Sequence, residues 1–309
     1  MTPTVSVIVV SYNAREHLER CLEAVTGEHE VIVVDSGSTD GSRELVRERF
    51  PAVRLVEPAE NRGYGAGCNE GMRVASGRWL LLLNADAWPA ENAVERLVAF
   101  AEERPRLGIA GPRLLNPDGT LQPSVRGFPT AWRLATEYVF LRKLAPRARA
   151  LNAFYGAGFD HRAPLAAEFL MGAVLLVRRD AVDEVGGFDE RFFMFSEEVD
   201  LCHRMRAADW TVEFCPDAEF VHVGGASTRL EWGRMYREQL RGHLLFLAKH
   251  GSVEQAERAR RMLVLALRLR ALLFRGERGR TYGEAAKWLS SQEARAIPAW
   301  VPVDVSVKR

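Results

Sequence analysis

Three short apolar runs in the first 84 residues constrain most strongly what this chain can fold into. They read VSVIVVS from Val5, VIVVD from Val31 and WLLLLN from Trp79, and helical spacing appears between them. A strand that is apolar at nearly every position is buried on both faces, which is typical of a parallel sheet covered by helices. The alternation of strand and helix signals therefore predicts an α/β fold with a doubly wound, mostly parallel sheet.

Polar side chains stand where these three strands end. They are Ser11 and Asn13 after the first strand, Asp35 and Ser38 after the second, and Asn84 and Asp86 after the third. Because the carboxyl ends of parallel strands meet at one edge, we expect a crevice for a polar ligand there. A strand-end carboxylate facing a diphosphate suits a divalent cation, which is the role predicted for Asp86.

Capping of the following helix is the alternative interpretation of these polar residues. For Ser38, Thr39 and Asp40, which precede a predicted helix, capping and ligand binding are about equally well supported. Capping applies less well to Asp86, because Pro89 is predicted to occupy the first turn of the next helix already. The turn sequence NPDG, from Asn116 to Gly119, is predicted to close a hairpin.

A second acidic cluster consists of Glu197, Glu198 and Asp200, where a helix is predicted to begin near Glu198. Neighbouring carboxylates raise the pKa of one another, which suits one of them to accept a proton. Stabilisation of the helix dipole is the simpler interpretation of any single member. His222 ends an apolar strand before a Gly-Gly turn, and the residues alone leave open whether it is structural or a metal ligand.

Several classes of protein are disfavoured. The formal net charge of +1 offers no broad attraction to nucleic acid. The glycine-rich segment from Asn61 to Gly71 does not match G-x-G-x-x-G in either frame, which argues against a dinucleotide-dependent oxidoreductase. The four cysteines form no C-x-x-C pair, and the first strand lacks the flanks of a signal peptide, so we expect a cytosolic protein with free thiols.

The last part of the chain is helical and basic in character. Residues 230–309 contain sixteen lysines and arginines against eight aspartates and glutamates. The apolar core from Met262 to Phe274 is broken by Arg268 and Arg270, so it is too short and too charged to span a bilayer. Two interpretations stay open: a helix that lies on an anionic membrane with these arginines at its surface, and an amphipathic helix that packs on the protein.

The chain as a whole resembles glycosyltransferase family 2, and within it the bacterial rhamnosyltransferases of cell-wall and O-antigen assembly. The resemblance spans residues 4–250 approximately. It implies a GT-A fold, a catalytic domain at 1–228 with halves of about 1–115 and 116–228, and a helical region at 229–309. It is carried by the ordered segments VSVIVVSYN, VIVVDSGSTDGS, NRGYGAGCNEGMRVASG, WLLLLNADAWP, GPRLLNPDGTLQPS, GAVLLVRRDAVDEVGGFDERFFMFSEEVDLCHRMRAADW and VHVGGAS.

The resemblance also implies roles for individual residues. Asp86 and His222 are expected to hold Mg²⁺ or Mn²⁺, and Glu198 is expected to act as the base, with Glu197 as the alternative. The chain departs from the family pattern at two positions: Asn84 replaces the first aspartate of D-x-D, and a glutamate replaces aspartate at the base. The residues expected at the nucleotide are Ser11, Asn13, Asp35, Ser38, Asn61, Asn69 and Asn84.

These expectations define a candidate function. The enzyme would move a sugar, with inversion, from a nucleoside diphosphate donor to a hydroxyl of a cell-envelope glycan or lipid-diphosphate acceptor. L-Rhamnose from dTDP-rhamnose is favoured, ahead of a UDP-hexose or UDP-galactofuranose. The expected location is cytoplasmic, at the inner face of the plasma membrane. A non-catalytic, nucleotide-binding scaffold is the rival, disfavoured because Asp86, Glu198 and His222 are all retained.

Overall fold

The structure is a computed structural model, and it describes residues 4–140, 148–152, 154, 159–225 and 231–297. The strands are β1 (Val5–Ser11), β2 (Glu30–Asp35), β3 (Arg54–Val56), β4 (Trp79–Asn84), β5 (Ala87–Pro89), β6 (Leu107–Leu115), β7 (Leu121–Gln122), β8 (Val125–Arg126), β9 (Leu165–Ala166), β10 (Phe169–Leu170), β11 (Val174–Arg178) and β12 (Thr211–His222). The helices are α1 (Arg15–Val25), α2 (Ser42–Arg49), α3 (Tyr64–Val74), α4 (Ala93–Glu102), α5 (Ala131–Tyr138), α6 (Arg149–Asn152), α7 (Arg179–Val185), α8 (Glu197–Ala207), α9 (Trp232–His250), α10 (Val253–Leu273), α11 (Gly276–Leu289) and α12 (Gln292–Ala296).

The first of two compact units is built on a mixed sheet, and it comprises Met1–Gly127, Phe159–Phe193 and Glu197–Leu230. The strand order is β3-β2-β1-β4-β11-β6-β12-β5, with β7 paired to β6 and β9 paired to β12. β1 runs parallel to β2 and β4, as the apolar runs predict. β11 runs antiparallel to β4 and β6, so the sheet is not wholly parallel. The shared direction of β1, β2 and β4 brings their carboxyl ends to one edge.

The apolar runs form the core of this unit, because the sheet is covered on both faces. Val7, Val9, Leu81 and Leu83 are completely buried, and α1 packs its apolar stripe of Leu18, Cys21, Leu22 and Val25 inward. All four cysteines are buried and free, which confirms the prediction of free thiols.

The segment after Asp86 differs from the prediction. Pro89 does not start a helix; it ends the short strand β5, and α4 begins only at Ala93. The physical reason is pairing, because β5 forms an antiparallel ladder with the end of β12. Pro89 lacks an N–H to donate, and the N–H of Ala90 bonds the carbonyl of Glu219 instead, at 2.9 Å. The predicted NPDG hairpin is confirmed, since β6 and β7 pair antiparallel across it.

The second unit is helical and comprises Phe128–Gly158, Met194–Ser196 and Glu231–Arg309. Within it α10 packs against α5, α9 and α11. The predicted boundary at residue 228, between a catalytic domain and a helical C-terminal region, stays a prediction. In the described part of the chain, no helix is both long and apolar enough to cross a membrane.

Arg270 is buried in the structure, whereas one interpretation of the sequence places it at the protein surface. Its guanidinium donates to the backbone carbonyls of Tyr138 at 2.8 Å and Glu137 at 2.7 Å. It also lies over the ring of Phe140, 4.2 Å from the centroid. The idea that both arginines lie at a membrane surface is therefore wrong for Arg270, which ties α10 to α5, whereas Arg268 is exposed.

Candidate active site

The ends of β1 and β2 place Ser11 beside Asp35, because the two residues are register partners. Asp35 Oδ1 accepts hydrogen bonds from the backbone N–H groups of Gly37 and Ser38, at 3.2 and 2.8 Å. Asp35 Oδ2 and Ser11 Oγ are buried and find no hydrogen-bond partner within the described residues. Buried polar atoms are nearly always hydrogen-bonded, so two such atoms on adjacent strands indicate a place where a polar ligand binds.

Asn13 and Ser38 join the loops that follow these two strands. The N–H of Asn13 donates to Ser38 Oγ at 2.8 Å, and Asn13 Oδ1 accepts the N–H of Thr39 at 2.8 Å. Ser38 is therefore not a helix cap. Asp40 serves the start of α2 instead, by accepting the N–H of Ser42 at 3.0 Å. These bonds fix the shape of the loops beside Ser11 and Asp35.

The third strand end brings Asn84 and Asp86 to His222. His222 is the register partner of Ala87, so the pairing of β5 with β12 sets the imidazole next to Asp86. Nε2 of His222 lies 3.4 Å from Asp86 Oδ1 and 3.3 Å from Asn84 Nδ2. Asp86 and His222 are only 8% and 7% exposed. Three residues predicted for the site thus meet in one small cluster.

Gln122 determines which nitrogen of this imidazole carries the proton. Its amide nitrogen donates to Asn116 Oδ1 at 2.9 Å and to the carbonyl of His222 at 3.3 Å. Its amide oxygen therefore faces His222 Nδ1, 2.7 Å away, and Nδ1–H is the donor. The lone pair of the neutral ring is then on Nε2, which faces Asp86.

The donor set at Asp86 and His222 fits a divalent cation that is also bound by phosphate. A carboxylate oxygen and an imidazole nitrogen with a free lone pair are both ligands that Mn²⁺ accepts. The described residues hold no group of three or more His, Cys, Asp or Glu side chains arranged for a metal. Two protein ligands are nevertheless sufficient for Mg²⁺-type sites, in which substrate phosphates and waters supply the remaining positions.

The two glutamates at the start of α8 occupy different environments. Glu197 is 4% exposed, and burial, reinforced by the charge of Glu198, raises its pKa well above the ordinary range. It packs against Gly65 in α3. Glu198 is partly exposed. Burial thus disfavours the charged form of Glu197, and Glu198 is the less buried of the two residues.

A short backbone segment connects Glu198 to the cluster around Asp86. A Cβ added at Gly172 would lie 3.4 Å from Glu198 Cβ, so the glutamate packs directly on this glycine. The carbonyl of the next residue, Ala173, accepts the N–H of Asn84 at 2.9 Å. Tyr64 Oη donates to the carbonyl of Gly172 at 3.0 Å and holds the segment in place. Both clusters thus adjoin the same end of β4.

Three other acidic or amide residues are not brought into these clusters. Asn69 bonds both backbone groups of Phe188, with Nδ2 to the carbonyl at 3.0 Å and Oδ1 to the N–H at 2.9 Å. Asn61 Oδ1 accepts the N–H of Gly63 at 3.0 Å. Asp200 is fully buried in an ion pair with Arg204 at 2.7 Å. The nucleotide-binding roles of Asn61 and Asn69 stay predictions, and the visible contacts of these side chains are structural.

Sequence reasoning did not find Gln122. The sequence marks it only by its position three residues after the NPDG turn, in a strand of two residues. Nothing in that spacing points to a histidine one hundred positions away.

Comparison with known proteins gives a consistent result. The model of the family described as "Glycosyl transferase family 2" matches residues 6–186. The N-acetylglucosaminyl-diphospho-decaprenol L-rhamnosyltransferase of Mycobacterium tuberculosis is 34% identical over 244 residues, which cover 74% of this chain and 78% of that protein.

Two solved structures share the fold. A mannosyltransferase from Pyrobaculum calidifontis, in complex with GDP-Man and Mn²⁺, is 19% identical with a TM-score of 0.53, and the match covers 97% of this chain and 85% of that one. GalNAc-T7 with UDP, GalNAc and Mn²⁺ is 16% identical with a TM-score of 0.58, over 97% of this chain and 58% of that one.

Proposed function

Since the chain belongs to glycosyltransferase family 2 and to its rhamnosyltransferase branch, we propose that it transfers L-rhamnose with inversion. The donor would be dTDP-rhamnose, and the acceptor a hydroxyl of a lipid-diphosphate-linked glycan. The observation that carries the proposal is the cluster of Asp86, His222 and Asn84 at the end of β4. It lies beside the segment on which Glu198 packs.

Glu198 is the proposed base. It takes the proton from the acceptor hydroxyl while that oxygen forms a bond to the anomeric carbon and the bond from this carbon to the diphosphate oxygen breaks. Glu197 is buried, and burial raises its pKa and disfavours the carboxylate that a nucleophile requires. A single displacement with one carboxylate base leads to inversion.

Asp86 and His222 are the residues that would hold Mg²⁺ or Mn²⁺. When bound, the cation would stabilise the negative charge of the departing diphosphate. Asn84 carries no charge, so we assign it a hydrogen-bonding role toward the ribose or a water. The solved Mn²⁺ complexes of this fold support the metal, and they leave the choice of ion to experiment.

Asp35 and Ser11 are proposed to recognise the base. The buried Oδ2 of Asp35 can accept a hydrogen bond from the imide N–H of thymine or uracil, and Ser11 Oγ adds a second polar atom next to it. This chemistry admits dTDP and UDP donors alike. Rhamnose and an N-acetylglucosaminyl-diphospho-polyprenol acceptor are favoured because the M. tuberculosis relative is named for them. The proposed location is the cytoplasmic face of the plasma membrane.

A thermal-shift panel of nucleotide sugars tests the donor. We expect dTDP-rhamnose with Mn²⁺ to raise the melting temperature most, since a ligand at a hundred times its Kd stabilises the folded state by about 2.7 kcal/mol. UDP-hexose and UDP-galactofuranose, each with and without Mn²⁺, are the comparisons. A larger rise in melting temperature with either UDP sugar would make that sugar the proposed donor in place of dTDP-rhamnose. If the protein binds a nucleotide sugar but releases no nucleoside diphosphate with any acceptor, the non-catalytic scaffold is favoured.

A further inference from the structure

The outer side of α10 carries a row of exposed leucines. This leucine stripe consists of Leu265, Leu269, Leu272 and Leu273, which are 72%, 44%, 84% and 62% exposed. Spacings of three and four residues place them on one side of a helix. The opposite side carries Leu263, Ala266 and Leu267, which are buried. The helix is therefore apolar on two sides, and among the described residues of the second unit only one of these sides is buried.

Such a stripe is not explained by the stability of the second unit. The part of each leucine that contacts water contributes no burial energy, and contiguous exposed apolar patches are rare on proteins that have no partner there. In the part of the chain that the structure describes, α10 packs against α5, α9 and α11, and its buried residues lie on the side opposite to the stripe. An amphipathic helix that only packs on the protein would carry polar residues at these positions.

Arginines accompany the leucine stripe. Arg268 lies within it and Arg275 follows it, and both are exposed. The sequence from Met262 to Gly276 contains no aspartate or glutamate. Arg261, by contrast, lies one turn before the stripe and pairs with Glu257 at 2.8 Å. The segment that carries the leucine stripe thus has exposed arginines and no acidic side chain.

We propose that the leucine stripe docks on an anionic phospholipid bilayer, with the leucines at the boundary of the acyl chains and Arg268 and Arg275 at lipid phosphates. A helix with exposed leucines on one side and arginines at its border has the composition of helices that lie in the plane of a membrane interface. A second copy of the chain fits less well. In a twofold dimer the same patch faces itself, which brings like-charged arginines together around only four leucines, whereas a standard interface uses roughly 20–30 residues a side.

Flotation of the intact protein with vesicles tests this surface without substrate, so the result does not depend on the proposed donor or acceptor. At low salt we expect binding to phosphatidylglycerol-containing vesicles and much weaker binding to pure phosphatidylcholine. Replacing Leu265 and Leu272 together by serine should weaken binding at least tenfold, because the two most exposed leucines are lost. Arg268→Gln should weaken it about fivefold on anionic vesicles only.

Val253→Ser is the matched control. Val253 is 50% exposed at the start of the same helix and lies outside the stripe, so this variant should bind as the unmodified protein does. Thermal melts show that each variant is folded, and light scattering measures its mass. The proposal is overturned if the intact protein ignores anionic vesicles, or if the double serine variant still binds them. It is equally overturned if the intact protein is a dimer that the double variant converts to a monomer.

A second inference concerns Gln122 and rests on the proposed metal role of His222. We infer that Gln122 is a positioning residue that keeps His222 protonated on Nδ1, so that Nε2 can bind the cation. The inference is carried by the 2.7 Å contact of Gln122 Oε1 with Nδ1. It is supported by the two acceptors that fix the orientation of the amide, Asn116 Oδ1 and the His222 carbonyl. Partners of this kind to metal-binding histidines typically change metal affinity by 10–100-fold when removed.

Two measurements test Gln122 apart from activity. Nitrogen-15 NMR of the histidine rings should show His222 protonated on Nδ1 in the unmodified protein and a mixture of tautomers in Gln122→Leu. Titration of Mn²⁺ with dTDP present, followed by electron paramagnetic resonance, should show 10–100-fold weaker binding in Gln122→Leu and near-normal binding in Gln122→Glu, which keeps an acceptor. Unchanged Mn²⁺ affinity in Gln122→Leu, with affinity lost in Asp86→Ala, would refute the positioning role alone. Loss in neither variant would refute the metal site itself.

Discussion

Replacing Asp86 by alanine is expected to lower the rate of sugar transfer by roughly a thousandfold. The carboxylate is one of two protein ligands proposed for the cation, and a metal-stabilised leaving group is worth several kcal/mol, about 1.4 kcal/mol for each tenfold in rate. The fold should be retained, because the β-ladder at this position uses the backbone: the N–H of Val223 donates to the carbonyl of Asp86 at 3.0 Å. Initial rates at saturating Mn²⁺ and thermal melts measure both effects.

Asp217→Ala is the matched control for this variant. Asp217 lies on the same strand as His222 but is exposed, so its loss should change neither the rate nor Mn²⁺ binding. Transfer by Asp86→Ala at more than about a tenth of the normal rate would contradict the role of Asp86 as a metal ligand.

Glu198→Gln is expected to lower turnover by roughly 10²- to 10⁴-fold while dTDP-rhamnose binding is unchanged. Glutamine keeps the size and the hydrogen-bonding capacity of the side chain but cannot take the proton from the acceptor. Glu197→Gln is the paired variant. Since burial raises the pKa of Glu197 and favours its neutral form, the amide should support activity within a few-fold of normal. Single-turnover rates, with donor affinity determined separately, distinguish the two.

The reverse outcome has a definite meaning. An inactive Glu197→Gln together with an active Glu198→Gln would move the base by one position. If both variants are active, neither glutamate is the base, and the main contribution of the site would be to position the substrates.

The part of the site that sequence could predict is the part set by parallel strands. Three neighbouring strands are mostly apolar, as expected for strands buried on both faces: Val5–Ser11, Glu30–Asp35 and Trp79–Asn84. Adjacent parallel strands must also end at the same edge of the sheet. The meeting of Ser11 with Asp35 follows from that rule, and register pairing confirms it.

The rest depends on pairings that carry little local signal. β5 is three residues long and ends in proline, so the sequence favours a helix start there, yet the ladder with β12 is what brings His222 to Asp86. The resemblance to the family, and not residue spacing, indicated His222. Gln122 and the burial of Arg270 were missed for a related reason, because both depend on long-range hydrogen bonds. Gln122 bonds His222 across 100 positions, and Arg270 bonds Tyr138 and Glu137 across 132 and 133 positions.

The anomeric configuration of the product tests the central claim most directly. Purified protein would be given dTDP-rhamnose, Mn²⁺ and an N-acetylglucosaminyl-diphospho-lipid acceptor, and the one-bond carbon–proton coupling at the new anomeric centre would be read by NMR. Single displacement assisted by Glu198 predicts a glycoside whose configuration is opposite to that of the donor. A product with the donor's configuration, or release of dTDP with free rhamnose and no glycoside, would contradict it.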